Sequence, residues 1–336
     1  SLLSMVAITA LATDSKTETS VARRGDYLIS SATFRPLAER GSANAQYNLG
    51  LTYYEGRSVS KNYSQALAWF RKAAMQGDMV AQFNLGVMYE YNQGAPKNYA
   101  KASKWYQKAA AQDYVNAENN LGAMFRDGLG VRKNYNQAIA WYERAVAQGD
   151  AKAQYNLGVM YEKGWGVQQN YASAFALFRK SAAQGDAGGE FNLGVMYDRG
   201  LGVRQDYTQA SVWYQKAATQ DYAWAQSNLG LLYVSGHGVP KNYTQAMVWF
   251  RKASQQGDAV AQDSLGVGYY NGQGVPQDII AAFALIKLAE LKDRSYSSQL
   301  STIRSAMTST QIEAGLALAL KMKRDGVLEA LAENER

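Results

Sequence analysis

The sequence predicts an all-α protein built as a stack of helix-turn-helix repeats, and three observations carry that reading. A Leu-Gly pair recurs seven times at an interval of 36 residues, at Leu49-Gly50, Leu85-Gly86, Leu121-Gly122, Leu157-Gly158, Leu193-Gly194, Leu229-Gly230 and Leu265-Gly266. No insertion interrupts the series, so residues 43–294 are seven copies of one unit, and a unit this short buries its apolar face only against its neighbours. Within every copy, helix stop and start signals separate two stretches of helical periodicity. With 336 residues, 47% of them apolar and 19% charged, the chain has material for a continuous core and reads as one elongated domain rather than a disordered polymer.

From the N-terminus, Leu2 to Ala12 is an apolar run closing on the small-x-small triplet Ala10-Leu11-Ala12. It reads as the tail of a secretory signal, with residues 13–24 a linker after it, and predicts a periplasmic or secreted protein; the competing reading is a short terminal helix in a cytoplasmic one. It is too short to span a membrane, and no other segment qualifies. Residues 25–42 keep the repeat register, with Tyr27 aligned to Tyr63 and Phe34-Arg35 to Phe70-Arg71, and form the capping second helix of a degenerate unit. Pro36 is expected to kink that helix or mark its start.

The units follow as 43–78, 79–114, 115–150, 151–186, 187–222, 223–258 and 259–294. In the fourth, a first helix runs from about Ala151 to Lys163, with Asp150 as N-cap and Gly164 as stop. Gly56, Gly128, Gly200, Gly236 and Gly272 repeat the stop; Asn92 replaces it once, the other residue that readily takes a left-handed C-cap. A second helix starts after Asn170, matched by Asn62, Asn98, Asn134, Asp206, Asn242 and Asp278. Four of these precede a glutamine by three residues (Gln65, Gln137, Gln209, Gln245), which resembles a capping box. Gly158 inside a helix costs about 1 kcal/mol relative to Ala. Its recurrence therefore implies a close helix approach, and Ala174, alanine in every copy, is expected to face it. Leu157 and Tyr161 are core anchors one turn apart. Trp69, Trp105, Trp141, Trp213 and Trp249, with Leu177 and Leu285, read as core filling on the second helix rather than a carbohydrate platform. Residues 295–336 cap the array: Ser295 to Ser301 as a join, then a helix opened by Thr308 and Gln311 whose stripe Ile312, Leu316, Ala319 and Leu320 covers the last repeat.

The pattern A-x-x-LG-x-x-Y-x-x-G-x-GV-x-x-[ND]-Y-x-x-A-x-x-W-[FY]-x-x-AA-x-x-G resembles the Sel-one-like repeat, a longer relative of the tetratricopeptide repeat. The resemblance implies a right-handed α/α superhelical solenoid whose first helices line a concave face. It also implies a scaffold or adaptor that binds a partner protein or peptide, in the bacterial envelope or at a host interface. Ser58 departs from the pattern in a loop, and Asp113 and Asp221 replace the glycine between repeats, so those two junctions are expected to differ in geometry.

Binding residues are sought among first-helix positions that vary between copies. One such row reads Tyr47, Phe83, Asn119, Tyr155, Phe191, Ser227, Asp263, and the next Tyr54, Glu90, Arg126, Glu162, Asp198, Val234, Tyr270. Aromatic and charged stations suit an extended peptide or partner helix. Beside them runs an asparagine ladder, Asn48, Asn84, Asn120, Asn156, Asn192 and Asn228. An amide there can bond a peptide backbone through both its donor and its acceptor, or bond a neighbouring loop carbonyl structurally. The candidate ligand-binding set is thus Tyr47, Asn48, Phe83, Asn84, Asn120, Arg126, Tyr155, Asn156, Glu162, Phe191, Asn192 and Asn228.

Composition narrows the rest. The chain has no cysteine, which excludes disulfides, thiolate metal sites and a cysteine nucleophile. Its only histidine, His237, occupies a variable loop position and reads as solvated. No metal, phosphate-loop or nucleophile-base spacing occurs, so neither catalysis nor a cofactor is expected. The net charge of +7 comes in part from Arg71-Lys72, Arg179-Lys180 and Arg251-Lys252 on a solvated outer face. No basic run with interleaved aromatics points to nucleic acid. A second reading uses those cations, with Trp165 and Trp224, to bind peptidoglycan or another anionic envelope polymer. The expected oligomeric state is a monomer or weak dimer.

Overall fold

The computed structural model describes residues 31–56 and 58–334; the Leu2–Ala12 run, the linker and Tyr27 lie outside them. The chain divides into two compact units, residues 1–117 and 118–336. The first holds α1 (Ser31–Glu39), α2 (Ala43–Glu55), α3 (Tyr63–Met75), α4 (Met79–Glu90) and α5 (Tyr99–Ala110). The division falls within α6 (Val115–Asp127). The second unit continues with α7 (Tyr135–Ala147), α8 (Ala151–Lys163), α9 (Tyr171–Ala183), α10 (Ala187–Arg199), α11 (Tyr207–Thr219), α12 (Ala223–Ser235), α13 (Tyr243–Gln255), α14 (Ala259–Asn271) and α15 (Ile279–Lys292). It ends in α16 (Ser297–Ser305), α17 (Ser309–Asp325) and α18 (Val327–Asn334). All secondary structure among the described residues is helical, and successive helices pair as hairpins: α2 with α3 and α4 with α5 in the first unit, α8 with α9 through α14 with α15 in the second.

Local chemistry accounts for the hairpins. Asn62 accepts from the Gln65 N–H at 3.0 Å, and Asn98, Asn134, Asn170, Asp206, Asn242 and Asp278 cap their helices in the same way. The reciprocal half of a capping box is not what holds these turns. The cap's own N–H is donated to the first helix nine residues back, Asn62 to the Tyr53 carbonyl at 2.9 Å and Asn170 to Tyr161 at 2.9 Å, with the same tie in all seven units. The stop at Gly164 has φ of 69°, and Asn92 holds 58° in its place. Asp113, Asp221 and Ser58 also stand at 58°, 60° and 59°, so the departures from the repeat keep the glycine geometry instead of changing it.

The glycine of each Leu-Gly pair receives a ring, not an alanine. A Cβ on Gly86 would lie 2.4 Å from the Tyr106 ring, and one on Gly158 would lie 2.7 Å from Phe178. Phe70, Tyr142, Tyr214 and Phe250 fill the same notch in other copies, and Ile286 in the last. The alanines at 66, 102, 138, 174, 210, 246 and 282 are fully buried one turn earlier on the second helix. Leu157 is core as expected, whereas Tyr161 is half-buried. Trp69, Trp249, Leu177 and Leu285 are buried, but Trp105, Trp141 and Trp213 only half so. Each of the five tryptophans carries a cation three residues on, from Lys72 at 3.9 Å over Trp69 to Lys252 at 4.7 Å over Trp249. Part of the basic outer face therefore shields indole rings.

A second amide ladder binds successive hairpins. Gln46, Gln82, Gln154, Gln226 and Gln262 are buried, with Glu118 and Glu190 at the same position. Gln82 donates to the Ala74 carbonyl at 3.1 Å and accepts from Gln112 at 3.0 Å; Gln226 does the same with Ala218 and Gln256. Each such bond contributes about 1 kcal/mol, and each satisfies an amide that would otherwise be buried unpaired. Where the ladder holds a carboxylate, Glu118 pairs with Arg144 at 2.9 Å and accepts from Gln148 at 2.7 Å. Glu190 accepts from Gln220 at 2.8 Å, and burial pushes its carboxyl above the usual range.

At the ends, Pro36 lies inside α1, and Phe34 and Ala38 pack toward Leu49 and Trp69 as a second helix would. Arg35 donates to the Tyr53 hydroxyl at 2.6 Å, the contact that Arg251 makes with Tyr269, also at 2.6 Å. Residues 295–301 are not a join but the end of a 3-10 turn and the start of α16. Thr308 and Gln311 form the capping box. The buried face of α17 is Gly315, Leu318, Ala319 and Met322, while Leu316 and Leu320 are exposed. The expected stripe is thus rotated, because α17 seats Gly315 against the Phe283 ring. Then α18 returns to α13, with the Leu328 N–H on Gln255 at 3.0 Å.

Candidate functional site

The first-helix rows pack on the rings below them. In the first unit the half-buried Tyr47 ring lies 5.7 Å from Phe70, and its phenol, hydrogen-bonded to Asn84, is pushed up by burial. Phe83 is 3% exposed, held between Tyr106 at 5.5 Å and Tyr114 at 5.2 Å, so it is a packing residue and not a ligand anchor. Asn84 is buried with it, and Asn48 turns back to the Asn44 carbonyl at 2.9 Å. Tyr54 is buried and donates to Gln93 at 2.9 Å, its phenol raised by burial to about 12.

In the second unit the candidates converge on Tyr155. Its half-buried phenol is raised chiefly by burial and further by Asp186; it lies within the fields of Arg126 and Glu162 and hydrogen-bonds Asn192. Arg126 donates to both oxygens of Asp127 at 2.8 Å and to Asn156 at 3.2 Å, and Asn156 donates to Asn119 at 2.9 Å. Asn192 also reaches the Gly188 carbonyl at 3.2 Å, and Glu162 pairs with Lys163 at 2.7 Å. Asn120 and Asn228 are half-buried on the same helix face. Asn48 and Asn192 thus bond carbonyls of their own helix, and Asn84, Asn156 and Asn192 bond side chains of neighbouring repeats. Phe191 extends the wall, 5.2 Å from Tyr222 and 6.1 Å from Trp224.

Tyr222 and Tyr114 stand at the residue preceding a first helix, where four other junctions place Asp78, Asp150, Asp186 or Asp258. Each follows a junction aspartate, so a Gly-Asp pair has become Asp-Tyr, and each new ring packs at a tilt against Phe83 or Phe191. That exchange, visible at 36-residue spacing, is the sequence sign of the aromatic clusters. His237 is exposed but stacks on Tyr207 at 4.7 Å, and Trp165 lies parallel to Tyr135 at 5.7 Å. Among the described residues no His, Cys, Asp or Glu group could hold a metal ion, and no helix is long and apolar enough to cross a membrane.

One register separates otherwise equivalent tyrosines. Tyr106 donates to Glu90 at 2.6 Å and Tyr214 to Asp198 at 3.2 Å, but the buried Tyr142 hydroxyl, facing the register of Arg126, has no hydrogen-bond partner. Phenylalanine occupies this site at Phe178 and Phe250. Tyr142→Phe is therefore expected to leave the urea midpoint unchanged or slightly raised, whereas Tyr106→Phe costs about 1–2 kcal/mol through the abandoned Glu90 carboxylate. Equal losses in both variants would contradict the assignment.

Comparison with known proteins adds the lineage. The model of the Sel1 repeat matches residues 43–78, 80–114, 115–150, 151–186, 187–222, 225–258 and 259–292. A Sel1 repeat protein from Oxalobacter formigenes is similar over 81% of this chain and 79% of its own, at 32% identity and a TM-score of 0.66. A structure from uropathogenic Escherichia coli strains, described as a protective antigen displaying an SLR fold, is similar over 91% of this chain and 73% of its own, at 29% identity and a TM-score of 0.55. No match was found among curated proteins.

Proposed function

Because the chain belongs to the Sel1 repeat family, we propose that it is a non-enzymatic scaffold holding a partner protein or peptide on its first-helix face. Proteins of this family are generally protein-interaction scaffolds. The observation that carries the proposal for this chain is the cluster around Tyr155, where a phenol, a guanidinium, a carboxylate and three amides share a partly open helix face. Aromatic area ringed by oriented polar groups is what a polypeptide backbone with mixed side chains requires. Nothing in the cluster sets a base beside a nucleophile. The apolar run before residue 13 favours export, and the description of the Escherichia coli relative as a protective antigen fits a place at the envelope or host interface.

Affinity capture with the full chain as bait, read by mass spectrometry, tests the reading. A partner recovered with the wild type is expected to fall at least tenfold with Tyr155→Ala combined with Glu162→Ala, and to persist with Arg179→Glu combined with Lys180→Glu on the second helix. The reverse pattern, abolished by high salt, would replace the groove with charge-driven binding of an anionic polymer.

A further inference from the structure

A helix that caps a repeat array keeps its outer face polar, because no neighbouring repeat covers it. The outer face of α17 departs from that rule. Gly315, Leu318, Ala319 and Met322 are buried, and Glu313, Leu316, Ala317, Leu320 and Arg324 stand exposed on the other side of the helix. Leu320 is 70% exposed, more than any other leucine among the described residues, and Leu316 is 41%. These groups are ordered along the helix: a carboxylate, three apolar side chains, then cations. Glu313 forms no ion pair among the described residues, and it lies beyond the first turn, where the helix dipole no longer offsets it. At the other end Lys321 is paired with Glu333 and Arg324 with Asp325 at 2.7 Å, and the exposed Lys323 leaves that turn net positive.

That order selects the occupant. Glu313, Ala317, Leu320 and Arg324 are spaced four, three and four residues apart, the interval of a helix seam. A partner must bring apolar side chains to the middle, a cation to Glu313 and a carboxylate to Arg324. An antiparallel copy of α17 does all three. A two-fold axis between residues 318 and 319 sets Glu313 against Arg324 of the second copy at both ends, and Ala317 against Leu320 at the centre. A parallel copy would oppose like charges, and a partner of one charge sign would satisfy one end and repel the other. A helix of this length is about 25 Å long, so one helix pair covers less than the roughly 1,200–2,000 Å² of a stable complex. The association is therefore weak and reversible, in the micromolar range.

We propose that the outer face of α17 is a homodimer interface, at which two copies of this chain pair antiparallel through Leu316, Ala317 and Leu320 with Glu313 facing Arg324 at each end. The inference stands apart from what the first-helix face holds. A dimer carries that face twice, so a partner with two binding segments gains avidity.

Sedimentation equilibrium of the full chain at low salt, from about 1 to 500 µM to bracket weak association, tests the proposal. The average mass is expected to rise from monomer to dimer and no further. Leu320→Glu should weaken association at least tenfold. Glu313→Arg and Arg324→Glu should each weaken it about fivefold, because each variant alone opposes like charges at both ends. An equimolar mixture of those two variants opposes unlike charges at both ends, and should associate at least fivefold more tightly than either alone. Helical circular dichroism checks that each variant is folded. A wild type that stays monomeric throughout, or a mass that climbs past the dimer, overturns the proposal. Unchanged association of Leu320→Glu would place the contact on another surface, and a mixture no tighter than its components would exclude the antiparallel pairing; either result also overturns it.

Discussion

Gly194→Ala is expected to cost about 2 kcal/mol, although the same exchange in a free helix gains about 1 kcal/mol. The sign reverses because a Cβ at Gly194 would stand 2.6 Å from the Tyr214 ring, itself fully buried and hydrogen-bonded to Asp198. Neither partner can give way: the glycine is fixed in α10, and the ring is enclosed by the alanines of the second helix. Overpacking at such a contact costs roughly 1–3 kcal/mol, which outweighs the helix propensity that alanine gains. Urea denaturation reads the loss, and Tyr214→Ala in the Gly194→Ala background should cost less than the sum of the two single changes, since it removes the ring atoms that the new Cβ meets. Additive losses in the double variant would show that ring and glycine are not the coupled pair.

Arg144→Met carries the second large effect, through the ladder of buried amides. Glu118 is fully buried and its carboxylate is met by Arg144 and Gln148. Removing the guanidinium leaves an ionised group inside the protein without its cation, a change that costs about 3–5 kcal/mol for fully enclosed pairs. The arginine side chain is 44% exposed, so about 2 kcal/mol is expected at neutral pH. Glu118→Gln added to Arg144→Met should restore most of it, because Gln46, Gln82, Gln154 and Gln226 fill that position elsewhere without a counter-charge. If the double variant stays as unstable as the single one, the loss comes from arginine packing over Trp141 and not from the carboxylate.

What the sequence revealed and what it hid divide along physical lines. Stops at Gly164 and Asn92 and starts at Asn62 and Asn170 were legible because capping is a contact between neighbours in the chain. The Leu-Gly period was legible because stacking repeats it. The occupant of each glycine notch was not, since residues 174 and 178 lie on the same helical face and only the packed hairpin selects the ring. The same ambiguity rotated α17: Leu316 and Leu320 form as good a stripe as Gly315, Leu318, Ala319 and Met322 until Phe283 chooses between them. At the candidate site, Tyr155, Arg126, Glu162 and Asn156 were legible only as stations in separate first-helix rows, and their grouping came from the packed repeats, whereas Phe83 is core because Tyr114, in a cap position, closes over it. The buried glutamines recur in five of the seven copies against six for the asparagines, but a glutamine in a sequence looks like surface.

The tie from each second-helix cap to a carbonyl nine residues upstream sets a rule for how such a protein can change its length. One inserted or deleted residue in that span would pull the donor off its acceptor and swing the following helix out of phase with every neighbour. Growth and shrinkage are therefore confined to whole tiles of 36 residues. The array can gain or shed entire stations by duplication, while any smaller edit breaks the gauge to which all the tiles are cut.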